Sequence, residues 1–173
     1  MAKDSDPKHL FEQAKKLHNR GVDGDKKAVR EAHSILARLR AAEPGNALVE
    51  AFYGSSLALL ARDAVQPLEK AEKAQDGLDA LDRAVAMDPN HKEIRLLRAN
   101  VCARLPEAYF QCSDTAIEDF NYLLNRYHAD PGFLSKKQAA DIMRNLAKVY
   151  QNAGRHAEAG AVLQRLGALE KKK

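Results

Sequence analysis

Apolar residues recur every three or four positions along this chain, in segments broken by glycine, proline and short polar runs, and nowhere alternate with period two. That pattern predicts eight helices and no strand. The first, over residues 7–20, carries Leu10, Phe11, Ala14 and Leu17 and stops at Asn19-Arg20-Gly21, where glycine suits a C-cap. A second, capped by Asp25, carries Ala28, Val29, Ala32, Ile35, Leu36 and Leu39. Asn46 opens a third with Val49, Phe52, Tyr53, Leu57 and Leu60 inward. Pro67 starts a long fourth whose face runs from Leu68 through Leu78, Leu81 and Val85 to Met87, with Gly77 as its weakest point. Asn90 caps a fifth with Ile94, Leu97, Val101 and Cys102. Residues 107–112 read either as a loop or as a short extra turn. Ser113 or Asp114 caps a sixth helix carrying Ile117, Phe120, Leu123, Leu124 and Tyr127. A seventh starts near Ser135 with Ala139, Ile142, Met143, Leu146, Ala147 and Tyr150, and an eighth follows Gly154 with Ala159, Val162, Leu163, Leu166 and Leu169.

Between these segments lie three acidic-proline pairs, Glu43-Pro44, Asp88-Pro89 and Asp130-Pro131, spaced 45 and 42 residues apart. A leucine, Leu36, Leu81 or Leu123, stands eight residues before each proline. Recurrence at this scale marks a repeat array in which each helical pair leans on its neighbours. The reading is a single all-α domain over 1–173, with repeats at about 7–44, 46–89, 90–131 and 135–169.

The last pair shows which repeat this is similar to. Met143-x-x-Leu146-Ala147-x-x-Tyr150, then Gly154, then Ala159-x-x-x-Leu163, resembles the tetratricopeptide (TPR) pattern of large, leucine, small and aromatic residues on helix A and small and large residues on helix B. A small residue lets two helices approach, and a large one a turn away fills the space beside it. Earlier units keep the register: Gly54 with Leu57 and Ala99 with Cys102 on the A helices, Ala32 with Leu36 and Gly77 with Leu81 on the B helices. Asp119 breaks the small place of the third unit. The repeats are longer than the roughly 34 residues of the TPR, the excess falling in the connections between helices.

The resemblance implies a right-handed superhelix of about four hairpins whose A helices line a concave groove. Lys8, Phe11, Lys15, His18, Leu48, Ala51, Ser55, Glu93, Leu96, Asn100, Arg144, Lys148 and Gln151 would face it. This mixed surface with basic ends suits a short acidic and apolar peptide. Asn100 and Asn145 resemble the asparagines of the carboxylate-clamp TPRs that bind chaperone tails. Leu96 stands where the first clamp lysine belongs, which disfavours that sub-class. Because a solenoid needs a polar cap, Val162 and Leu169 on the eighth helix are expected to be partly exposed or to meet another copy or a partner.

The 28 basic and 24 acidic residues give a net charge of +4 but are interleaved, so no basic face for nucleic acid is expected. The run Lys171-Lys172-Lys173 is explained by helix-end electrostatics and solubility. Cys102 and Cys112, ten residues apart and without C-x-x-C spacing, read as half-buried thiols in a reducing compartment. Met1 to Pro7 has no apolar leader core, and no stretch approaches the ~18 apolar residues of a membrane span. A cytoplasmic location is expected, unless a processed leader precedes these residues. Six scattered histidines offer no paired metal spacing, Asp23-Gly24-Asp25 lacks the rest of a calcium loop, and no phosphate-binding or nucleophile motif is present. Neither cofactor nor metal is therefore expected. Three functions follow in order: a protein-interaction adaptor binding a peptide in its groove, an assembly subunit using its C-terminal helix, and, least favoured, an enzyme using remote residues such as His18 or Glu93.

Overall fold

A computed structural model describes residues 6–172, and among them are nine α-helices and no strand: α1 (Pro7–Val22), α2 (Lys26–Ala42), α3 (Ala47–Asp63), α4 (Pro67–Met87), α5 (Lys92–Arg104), α6 (Glu107–Phe110), α7 (Ser113–Ala129), α8 (Lys136–Asn152) and α9 (His156–Lys171). Residues 1–5 and Lys173, the end of the basic run, lie outside the described residues. The helices form two compact units, the first ending at Leu97 and the second beginning at Arg98, so that α5 contributes to both. No helix among the described residues is long and apolar enough to cross a membrane.

Caps set the helix starts. The Asp25 side chain accepts from the Ala28 amide at 3.0 Å, Asn46 from Val49 at 3.1 Å, and Ser135 forms a reciprocal capping box with Gln138. Two starts differ from expectation. At α5, which begins at Lys92, the ring of His91 receives the Ile94 amide. At α7 the cap position falls on Cys112, and Ser113 is already the first helical residue.

In the first unit, Ala14 and Leu17 of α1, Ala28, Ala32 and Leu36 of α2 and Phe52 of α3 form a buried cluster flanked by Phe11, Ile35, Leu48, Tyr53 and Leu97. Gly21 does not cap α1 but lies inside it: a Cβ there would stand 2.6 Å from Val29 Cγ2, so α1 and α2 meet at this point. Gly24, with φ of +110°, makes the turn instead. Nor is Gly77 merely the weak point of α4. A Cβ on Gly77 would lie 2.7 Å from the Gly54 carbonyl oxygen, and one on Gly54 would lie 2.7 Å from that of Gly77. Two backbones touch where neither residue has a side chain. The buried face of α4 begins only at Ala74, and Leu68, read as its first inward residue, is 71% exposed because the first turns of the helix extend past the core.

The second unit packs Phe120, Leu123 and Leu124 of α7 with Ile142 and Leu146 of α8, all fully buried. Tyr150 is buried with its hydroxyl accepting from Asn121 Nδ2 at 3.1 Å. On α9 the buried residues are Ala159, Val162 and Leu166, whereas Leu163 is 43% exposed. Leu163 therefore does not pack between helices as expected. Each residue turns a helix by about 100°, and α9 presents the Ala159–Val162–Leu166 face, which carries Leu163 outward. Val162 is covered by the chain itself, and Leu169 is half-buried. The cysteines also depart from expectation: Cys102 and Cys112 form a disulfide with Cα atoms 5.2 Å apart. The path of α6 returns the chain beside the end of α5, so a pair ten residues apart in sequence meets. Two bonded sulfurs give no ground for placing the chain in a reducing compartment.

Candidate interaction faces

The expected groove residues divide sharply by burial. In the first unit Lys8 is exposed and Phe11, Lys15 and Leu48 are half-buried, but His18, Ala51 and Ser55 are buried. Phe11 meets Phe52 edge-on at 5.6 Å between centroids, and Lys15 Nζ stands 5.0 Å over the Phe11 ring while pairing with Glu12 at 2.8 Å. His18 Nε2 and Ser55 Oγ are 2.7 Å apart, joining α1 to α3, and the ring rests edge-on against Phe52. Burial pushes the His18 imidazole down to about 4, since a buried ring loses the hydration that stabilises its cation. Its Nδ1 has no hydrogen-bond partner among the described residues. This pair is an internal strut. Its neighbour is similar: His33 Nδ1 lies 3.0 Å from Ser56 Oγ, which donates to the Tyr53 carbonyl, and Ser56 is fully buried.

Glu93 and Leu96 on α5 are half-buried, as is Asn100 within the second unit. On α8, Arg144, Asn145, Lys148 and Gln151 are all exposed. Arg144 is committed: it donates to Asp141 at 3.2 Å and also to Glu170 of α9. Lys148 forms no ion pair among the described residues.

Two buried carboxylates, each held by arginine, lie outside anything periodicity can display. Glu50 on α3 accepts from Arg40 of α2 at 2.6 Å and from Arg83 of α4 at 3.0 Å, tying three helices through one buried carboxylate. Asp119, fully buried, accepts from Arg98 Nε at 2.7 Å and from its NH2 nitrogen at 2.8 Å, a forked pair. The misfit Asp119 is thus a partner for Arg98.

No protein-family model matches this chain, and no curated protein matches it. Among solved structures, it is similar to a thermophilic TPR protein from Thermus thermophilus, with a TM-score of 0.71 and 19% identity, over 99% of this chain and 78% of that one. The fold is that of the tetratricopeptide repeats.

The departure from a regular TPR hairpin lies between α5 and α7, where α6 is inserted. Glu107, the first residue of α6, accepts from the Ser113 amide at 2.8 Å and from Ser113 Oγ at 2.5 Å. The Ser113 hydroxyl, joined by the amides at the start of α7, holds the Glu107 carboxyl below its ordinary value. The insertion therefore supplies the negative charge that a helix N-terminus favours. Beside it lies a cavity of about 600 Å³ bordered by Cys102 and Arg104 of α5, by Glu107 and Ser113, and by Lys148 and Asn152 of α8. Sequence reading finds Lys148 but misses Arg104, Glu107 and Asn152. The available signal is an acidic residue shortly before a serine helix start, although the path of the insertion decides what the pair borders.

Proposed function

We propose that this TPR-fold protein is an interaction module in which the exposed face of α8, centred on Lys148 and Gln151, receives an extended segment of acidic and apolar character from a partner protein. The carrying observation is the division of that helix: Ile142, Met143, Leu146, Ala147, Val149 and Tyr150 are buried, while Lys148 and Gln151, three residues apart, stand exposed on the other side and Lys148 is without a carboxylate. An ammonium held on a rigid helix favours an anionic segment, and the glutamine offers a donor and an acceptor to a peptide backbone. Arg144 flanks the face with its charge already met. Of the two residues on which an enzyme would rest, His18 is closed off from substrate by burial, whereas Glu93 is half-buried, and the binding module is the reading preferred.

The test is affinity capture from the native cell with the full chain and with a Lys148→Glu, Gln151→Glu variant. Arg144 is left intact, because changing it would also break the tie to Glu170. Partners recovered by the parent and lost from the variant, at unchanged thermal stability, support the face; equal recovery by both overturns it.

A further inference from the structure

The cavity beside α6 carries an inference that rests on this reading and deepens it. Arg104 and Lys148 bring two cations to its rim, and neither forms an ion pair among the described residues. The one acid in its wall, Glu107, is engaged by both the amide and the hydroxyl of Ser113, so its charge is directed at the start of α7. Asn152 adds an amide that makes no hydrogen bond to another described residue. Two cations against one carboxylate leave the recess net positive, and with the unused amide donor this selects an oxyanion, because guanidinium and ammonium donors bond most strongly to ionised oxygen. With about 600 Å³ the recess has the size of ordinary ligand sites and accommodates one or two residues of a segment lying along α8.

We propose that this recess is the anchor point of the module: it takes a carboxylate side chain of the bound segment, with Arg104 and Lys148 meeting its charge and Asn152 donating to one of its oxygens. The insertion that lengthens this TPR hairpin builds one wall, and the Cys102–Cys112 disulfide closes the loop that carries it. The site therefore belongs to the irregular part of the chain.

The probe is a fluorescein-labelled octapeptide of alternating glutamate and leucine, measured by anisotropy against the intact chain, beside peptides with lysine or phosphoserine in place of glutamate. Binding of the glutamate peptide, no binding of the lysine peptide, and at least about a tenfold loss of affinity in an Arg104→Gln, Asn152→Ala variant are expected, one charge-assisted hydrogen bond being worth roughly that factor. Affinity also falls as salt is raised. Both replaced residues are exposed, and an unchanged melting curve shows that the variant is folded. Equal binding by parent and pocket variant overturns the anchor, and if Lys148→Glu with Gln151→Glu then abolishes binding, the α8 face stands without it. Binding of the phosphoserine peptide alone overturns the carboxylate assignment. Failure of the parent chain to bind the glutamate peptide also overturns the anchor, and the capture experiment then decides the face by itself.

Discussion

Where α3 meets α4, Gly54 and Gly77 bring two backbones together, each leaving no room for a methyl group on the other. At the matching place of the next hairpin, α7 carries Asp119 instead of a small residue, and Arg98 of α5 reaches across to hold it with two hydrogen bonds. The first contact depends only on shape. The second depends on charge, and a buried charge is tolerable only while its partner is present. The same repeat place is thus filled by steric fit in one unit and by electrostatic compensation in the other, and the two should fail differently.

The largest effect is expected from Asp119→Ala, which removes the carboxylate that takes two hydrogen bonds from the buried Arg98 guanidinium and should cost about 3–5 kcal/mol in urea unfolding. Replacing both partners by apolar residues, Arg98→Met with Asp119→Leu, should recover most of that loss. A double variant as unstable as the single one would show that packing, not charge, makes the contact. A second test uses the strut of the glycine-paired unit. His18 is held near 4 when folded against an ordinary value of 6.5. Its unfolded form therefore binds more protons between those values, so stability is full above about pH 6.5 and declines as pH falls toward 4, by roughly 3 kcal/mol in all. Denaturant unfolding of His18→Gln over that range should show a correspondingly flatter profile. The smallest change concerns the glycines themselves. Helix propensity alone makes Gly77→Ala stabilising by ~1 kcal/mol, whereas a methyl group at 2.7 Å from the Gly54 carbonyl forces α3 and α4 apart and should destabilise by about 1–3 kcal/mol. The sign of the change in urea midpoint decides between them.

That sign also shows why some of this molecule is legible in its sequence and some is not. Eight of the helices announce themselves because each has a long enough apolar face to show its period, and Asp25, Asn46 and Ser135 mark their starts by chemistry local to the chain. The four residues of α6 are too few to display any period. Gly77 reads as a weakness because propensity belongs to one helix, while its actual role needs Gly54 on another. Glu50 and Asp119 bond residues 33 and 21 positions away, which no window of one helix contains. On the candidate face, the exposure of Lys148 and Gln151 follows from the period of α8. Arg104 and Asn152 reach one recess only through the path of the insertion, and Leu163 turns outward because the buried face of α9 steps from Ala159 to Val162 and then to Leu166, leaving Leu163 to one side.

The insertion itself changes what can be cut from this chain. Residues 106–112 look like surplus length against a 34-residue repeat, yet Glu107 within them is the group that engages the first amide of α7. A regularised version of the protein, shortened there to a standard loop, would lose the covalent closure and strip a neighbouring helix of its anionic lid in the same operation. The extra turn and the helix it caps are one structural piece.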